Sequence, residues 1–151
     1  MRVTFDSNIL VYAATLGTSD RHDKAVALLD RARSADALLT LQSLGETFHV
    51  LVRKAGVSPA AARGFVDRLA VSFRIEAADF ACLALALDAH VSHGLQFWDA
   101  MLWATAERAG CDILVTEDLQ HGRTLGRVTF LNPFGPALPP ELDAALAPPE
   151  V

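Results

Sequence analysis

The sequence predicts an α/β fold: a single domain with a parallel central sheet and helices on both faces. Short apolar or β-prone runs alternate with longer helical runs along most of the chain. Strands that are separated by helices pair in parallel through right-handed crossovers. The chain has 151 residues, of which 52% are hydrophobic, and this is enough for one core but too short to expect two domains.

The first strand is expected at Val3-Thr4-Phe5, a β-prone run that stops at a carboxylate, Asp6. A helical run begins near Ile9, so Ser7 or Asn8 is expected to cap that helix. An unpaired carboxylate at a buried strand end is costly to desolvate. The position of Asp6 therefore requires a compensating group, such as helix N–H groups, a basic partner or a cation.

The next stretch, residues 17–23, is expected to be a loop, and it precedes an amphipathic helix. Apolar residues in this helix recur at the spacing of one buried helical face; they are Ala25, Leu28, Leu29 and Ala32. A short apolar run at 37–41 then predicts the second strand. The third helix follows at once and ends at Gly56.

Ser58-Pro59 has the pattern of a cap followed by proline at the first helical position, which predicts a helix to about Ala70. A third strand is expected within 72–77. Two apolar helices follow, one from about Asp79 to Gly94 and one over 96–110.

The strand signal within 111–118 is the clearest in the chain, and the last strand is expected at 127–131. The remainder is rich in proline. We therefore expect a folded domain over 1–134 and a peripheral, partly disordered tail over 135–151.

Composition narrows the possible functions. The formal charge of −5 argues against a broad, sequence-independent nucleic-acid binder, although it permits an enzyme that meets nucleic acid at an acidic metal site. No apolar run approaches the roughly 20 residues needed to cross a bilayer, and Asp6 interrupts any secretory signal. A cytoplasmic protein with no membrane contact is expected. The two cysteines, Cys82 and Cys111, are then expected to be buried thiols.

Four acidic residues occupy comparable places in the predicted fold. Asp6 and Asp118 each follow a strand, whereas Glu46 and Asp99 lie in early turns of helices, beside apolar neighbours. Ligands of open parallel sheets bind beyond the carboxyl ends of the strands, so both strand-end acids should project from one edge.

If the four acids converge, their repulsion must be offset, and a hard divalent cation is the natural counter-charge. Such ions lower the pKa of a bound water and stabilise an in-line phosphoryl displacement. Each acid can also be explained without a metal ion. Asp6 and Asp118 can each cap a helix, Asp99 can interact favourably with the N-terminus of its helix, and Glu46 can lie on a solvated helix face.

Five segments together resemble the PIN-domain ribonucleases, and in particular their VapC-type toxin branch. They are FDSNIL, the glutamate within SLGETFHVL, FWDAMLWATAERAG, LVTED, and a strand followed by Asn132-Pro133-Phe134. The resemblance covers residues 1–134. It implies a PIN-like fold and an endoribonuclease that depends on Mg²⁺ or Mn²⁺, is inhibited by a cognate antitoxin, and is commonly homodimeric.

The family's acidic positions fall on Asp6, Glu46, Asp99 and Asp118, which the resemblance therefore assigns as catalytic metal ligands. Its hydroxyl positions fall on Ser7 and Thr116, and Asn8 matches an asparagine that supports the site through hydrogen bonds. In this reading Asp6 and Asp99 bind the main metal ion. Glu46 and Asp118 hold it through water or bind a second ion.

Two neighbours of Asp118 have open roles. Glu117 is expected to point to the side of the strand opposite Asp118. It is the alternative fourth acid if Asp118 is misassigned. His121 lies close enough in sequence to touch substrate, or it is a solvated loop histidine.

Two other functions are compatible with parts of the pattern. A degenerate PIN domain would only bind a protein partner, although the presence of all four acids does not recommend it. A haloacid-dehalogenase-like phosphatase would use Asp6 as a nucleophile and needs a second Asp two residues later, where this chain has Asn8.

Overall fold

The computed structural model describes residues 1–17 and 19–148. Within these ranges the chain forms seven helices and six strands. The helices are α1 Ser7–Ala14, α2 Arg21–Ala32, α3 Leu41–Arg53, α4 Pro59–Ser72, α5 Phe80–His93, α6 Phe97–Arg108 and α7 Pro140–Ala145. The strands are β1 Val3–Phe5, β2 Leu38–Thr40, β3 Arg74–Glu76, β4 Ile113–Val115, β5 Thr124–Leu125 and β6 Val128–Leu131.

The sheet is mostly parallel, as predicted. Four strands are ordered β1-β4-β6-β5, and β2 and β3 form a parallel pair. A single parallel bridge between Val3 and Ala37 joins the two groups beside β1. Strand β5 is antiparallel to β6 and was not expected from the sequence, because a hairpin strand of two residues carries little hydrophobic signal.

Helices cover both faces of the sheet, which confirms the predicted architecture. Alternate residues of β4 belong to two different hydrophobic clusters: Ile113 and Val115 to one, Leu114 to the other. The first cluster includes buried residues from α1, α2, α3, α4 and α7, and the second includes residues from α5 and α6. Successive side chains of a strand point to opposite faces, so the two clusters lie on the two sides.

The start of α1 differs from the sequence prediction. Asp6, rather than Ser7 or Asn8, is the N-cap, and its side chain accepts a hydrogen bond from the Ser7 N–H. Ser7 and Asn8 are the first two residues of the helix. Asp6, Ser7 and Asn8 are all residue types that cap helices well. Asp6 is the cap because the helix begins directly after β1.

The expected loop over 17–23 is shorter in the structure. Helix α2 begins at Arg21, and the predicted apolar face is fully buried. Thr18 lies outside the described residues. The predicted helix after Ser58-Pro59 is present and extends to Ser72, with the Ser58 side chain as its cap.

The C-terminal segment packs more closely than the expectation of a peripheral tail. Leu142 and Leu146 are 0% and 1% exposed and belong to the first hydrophobic cluster. Arg31 of α2 forms an ion pair of 2.9 Å with Asp143. Proline-rich composition predicted a peripheral, partly disordered tail, but Leu142 of α7 and Leu146, which caps its end, belong to this core. Residues 149–151 of the expected tail lie outside the described residues.

Cys82 and Cys111 are free and buried, as expected. No helix among the described residues is both long and apolar enough to cross a membrane.

Candidate active site

Asp6 lies at the carboxyl end of β1, where its backbone N–H and both carboxylate oxygens form hydrogen bonds. Its backbone N–H donates to the Val115 carbonyl at 2.9 Å, which continues the pairing of β1 with β4. Its Oδ1 accepts from the Ser7 N–H at 2.7 Å, and its Oδ2 accepts from the Thr116 hydroxyl at 2.8 Å. The residue is 5% exposed. The carboxylate therefore has a fixed orientation in a largely buried position.

Burial has an electrostatic cost at Asp6. Desolvation is the largest cause that raises the pKa of this carboxyl, from an ordinary 3.8 to about 6. The hydrogen bonds from Thr116 and the Ser7 N–H act in the opposite direction, and the negative charges of Glu46 and Asp118 raise the pKa further. The hydrogen bonds only partly compensate the buried charge.

Glu46, on α3, is connected to Asp6 through the Ser7 hydroxyl. The Ser7 Oγ donates to Glu46 Oε2 at 2.8 Å and lies 3.4 Å from Asp6 Oδ1. The other oxygen of Glu46 accepts from Gln42 Nε2 at 2.8 Å, and the same amide donates to the Trp98 carbonyl on α6 at 2.9 Å. Gln42 thus links α3 to α6 while it orients Glu46. Sequence reasoning missed Gln42, whose only signal is its position four residues before Glu46.

Asp99 and Asp118 approach from two other elements. Asp99 lies in the first turn of α6, where its N–H donates to Gln96 Oε1 at 3.1 Å. Burial, followed by the charges of Asp118 and Glu46, raises the pKa of Asp99. Asp118 follows β4, and its N–H donates to the Thr116 Oγ1 at 3.1 Å. Thr116 therefore holds both strand-end acids.

We refer to Asp6, Glu46, Asp99 and Asp118 as the acidic site. The charges of Glu46 and Asp118 are felt at both Asp6 and Asp99, so the four residues share one electrostatic environment at the carboxyl edge of the sheet. Among the described residues, none of the four forms an ion pair with Lys or Arg. Four neighbouring carboxylates without a basic partner favour a bound cation.

The donor set of the acidic site fits a hard divalent cation. Mg²⁺ and Mn²⁺ prefer oxygen ligands, and the donor atoms of all four residues are carboxylate oxygens. Within residues 1–17 and 19–148, no three His, Cys, Asp or Glu side chains lie close enough together to hold a metal ion.

Asn8 and Glu117 differ from the other predicted site residues in their hydrogen bonding. Both amide atoms of Asn8 are buried without a hydrogen-bond partner among the described residues, so the supporting bonds that the resemblance implies are not made. Glu117 accepts from the Tyr12 hydroxyl and, at 3.0 Å, from Arg21 Nε. Its charge is thus compensated by a basic partner, unlike those of the acidic site.

The family model that describes the PIN domain matches residues 3–125. The chain belongs to the PIN domain family. This confirms the family that the sequence motifs indicated and the fold that they implied. PIN nucleases in general use a divalent metal ion, which agrees with the donor chemistry of the acidic site.

Similar solved structures include a toxin and a toxin–antitoxin complex. VapC20 of Mycobacterium tuberculosis, a toxin that cleaves the sarcin-ricin loop, has a TM-score of 0.63 and 22% identity over 74% of this chain and 86% of its own. A toxin–antitoxin complex from Klebsiella pneumoniae has a TM-score of 0.63 and 17% identity, covering 84% of this chain and 95% of its own.

VapBC2 of Rickettsia felis, bound to a DNA fragment from its promoter, has a TM-score of 0.65 and 14% identity. The match covers 86% of this chain and 97% of that one. Among curated protein sequences, none matches this PIN domain significantly. At these identities the structural likeness establishes the fold.

Proposed function

We propose that this PIN domain is a metal-dependent endoribonuclease toxin that hydrolyses RNA phosphodiester bonds and is neutralised by a cognate antitoxin. The observation that carries the proposal is the acidic site. It combines carboxylates from β1, α3, α6 and the end of β4 without a basic partner among the described residues. Burial and mutual repulsion raise the pKa values of two of them, as expected of a functional site.

Asp6 and Asp99 would hold the main Mg²⁺ or Mn²⁺ ion, with Glu46 and Asp118 binding through water or holding a second ion. When bound, such an ion activates water and stabilises the charge of an in-line phosphoryl displacement. The products would carry a 5′-phosphate and a 3′-hydroxyl.

The chain's own residues orient the acids. The Ser7 N–H and the Thr116 hydroxyl fix both oxygens of Asp6, while the Ser7 hydroxyl and Gln42 fix those of Glu46. With a pKa of about 6, Asp6 is mostly ionised at neutral pH. Any proton that remains on it would leave when a cation binds.

Toxin–antitoxin complexes among the similar structures support the antitoxin as a partner. A homodimer and a cytoplasmic location belong to the same proposal, and two free thiols agree with a reducing compartment. An antitoxin would approach the acidic site most favourably with a basic residue, because the four acids lack one.

The experiment is cleavage of total RNA by the purified protein with Mg²⁺, with Mn²⁺, and with EDTA. Asp6→Asn is assayed beside it, because this substitution removes one charge and keeps the side-chain shape. We expect discrete fragments that require the metal ion and disappear in the variant. Circular dichroism of both proteins checks that the variant is folded.

A folded wild-type protein that is free of antitoxin and cleaves no RNA in either metal would contradict the proposal. Full activity of Asp6→Asn would contradict the role of Asp6. Calorimetric titration with Mn²⁺ separates the degenerate PIN domain from the enzyme, because a domain that only binds protein should take up little metal.

A further inference from the structure

A groove of about 800 Å³ lies at the same edge of the sheet as Asp118. Its lining includes Arg21, His121, Asn132, Phe134, Leu138 and Glu141. His121 follows the end of β4 and Asn132 follows the end of β6. These strands are parallel, and the Thr116 N–H donates to the Leu131 carbonyl at 3.0 Å. The groove therefore lies at the carboxyl ends of two neighbouring strands, and one of them, β4, leads to Asp118.

His121 is held in this groove with a defined tautomer. Its Nδ1 accepts a hydrogen bond from the Asn132 N–H at 3.0 Å. A ring nitrogen that accepts carries no proton, so the neutral imidazole bears its proton on Nε2. The side chain is exposed, and Nε2 has no partner among the described residues. An oriented N–H donor is thus available to a ligand.

Arg21 and Phe134 form a second feature of the groove. The guanidinium of Arg21 lies 5.1 Å from the centre of the Phe134 ring and 5.7 Å from that of Tyr12. The two rings meet edge to face at 5.3 Å. Glu117, the residue before Asp118, holds Arg21 in place. Guanidinium planes and aromatic rings are the surfaces on which unpaired nucleobases stack.

The remaining wall of the groove is formed by the loop that follows β6. Residues 132–139, the tail loop, lie beyond residues 3–125, which match the family model. The loop contains three prolines and leads into α7, which Leu142 and Leu146 fix in the core. A wall that is already ordered costs little entropy when a ligand binds.

We propose that this groove binds the single-stranded RNA segment that flanks the cleaved phosphate. His121 donates its Nε2–H to a phosphate or base oxygen, and the Arg21–Phe134 surface stacks on a base. His121 is a positioning residue and does not take part in the bond cleavage. The inference rests on the proposed function, because it names where the substrate of the acidic site lies.

Two substitutions at His121 separate this role from a structural one. His121→Gln can place an amide donor near the position of Nε2, whereas His121→Asn can place an acceptor near Nδ1 for the Asn132 N–H but cannot reach as far as Nε2. His93→Asn, in the exposed last turn of α5, is the matched control. All three are made in the Asp6→Asn background, and binding of a short fluorescent single-stranded RNA of mixed sequence is measured in EDTA.

We expect His121→Asn to weaken RNA binding about tenfold, since the hydrogen bond from Nε2 to the RNA is lost. His121→Gln should retain affinity within about threefold, and the control should match the parent. In the active background, His121→Asn should raise KM more than it lowers kcat.

Equal RNA affinity in all variants would overturn the inference and would be the result if the groove accepts a protein segment instead. The reverse pattern, with Asn tolerated and Gln not, would mean that His121 only supports the tail loop and would also overturn it. Absence of RNA binding by the parent would do the same. Wild-type cleavage of total RNA tests the nuclease itself, so the two proposals can fail separately.

Discussion

The Ser7 hydroxyl donates to Glu46 at 2.8 Å across 39 residues of sequence, and the same oxygen lies 3.4 Å from Asp6. One small side chain thus determines how a strand-end acid and a helical acid face each other. Its backbone N–H holds Asp6 as well. Ser7 therefore orients the acidic site with two separate donors, and substitution by alanine removes only the hydroxyl.

Ser7→Ala is expected to lower metal affinity and cleavage by about tenfold, because residues that orient metal ligands typically contribute this much. Ser7→Thr should keep most of the activity, since it retains the hydroxyl. Cleavage rates and Mn²⁺ titration of the two variants measure the difference. Equal losses in both would indicate that the volume at this position matters and the hydroxyl does not.

Asp6→Asn is expected to stabilise the metal-free protein at neutral pH. The folded state holds the Asp6 proton up to a pKa of about 6, whereas the unfolded chain releases it near 3.8. The folded state binds more protons between these values, so the free energy of unfolding of the wild type falls as pH rises through them.

A pKa shift of two units corresponds to about 3 kcal/mol of unfolding free energy. We expect Asp6→Asn to be more stable than the wild type by about 1 to 3 kcal/mol at about pH 7.5. Near pH 4 the two proteins should differ little. Denaturant unfolding in EDTA at both pH values measures this. A variant that is less stable than the wild type at neutral pH would show that the buried charge is better compensated than the structure indicates.

Gln42→Ala is expected to reduce cleavage about tenfold with little loss of stability. The amide orients Glu46 and links α3 to the Trp98 carbonyl, but it lies near the surface. Arg53→Ala, in the last turn of the same helix, is the control. If Gln42→Ala keeps wild-type activity, Glu46 is oriented sufficiently by Ser7 alone.

Leu142→Ala is expected to cost about 2 to 4 kcal/mol of unfolding free energy, because a fully buried leucine leaves a cavity. Leu16→Ala, at a side chain that is 88% exposed, should cost less than about 0.5 kcal/mol. Urea denaturation of both variants measures the contrast. If both variants lose a similarly small amount of unfolding free energy, the C-terminal segment is peripheral, as its composition suggested.

The sequence predicted the parts of the fold that follow local rules. Alternating strands and helices, and the buried face of α2, follow from hydrophobic periodicity alone. The placement of Asp6 and Asp118 at one edge follows from the parallel order of their strands. The arrival of Glu46 and Asp99 at that edge depends on how α3 and α6 pack, which periodicity does not specify.

The features that sequence reasoning missed depend on single tertiary contacts. Gln42 is an ordinary helical glutamine until α6 places the Trp98 carbonyl beside it. The cap of α1 is selected by the strand that precedes it. The burial of Leu142 depends on a gap in the core that only the assembled sheet reveals. The assignment of the four acids as metal ligands stays a prediction.

The position of β1 also sets the order in which the molecule can assemble. The first strand pairs with β4, where Val3 lies opposite Ile113, and touches the segment before β2 on its other side. Such distant pairing slows folding, because the loop between the strands must close before the contact forms. A nascent chain cannot complete the pairing of β1 until β4 has been made. The acidic site needs both strand ends, so its four acids cannot come together before β4 has paired with β1.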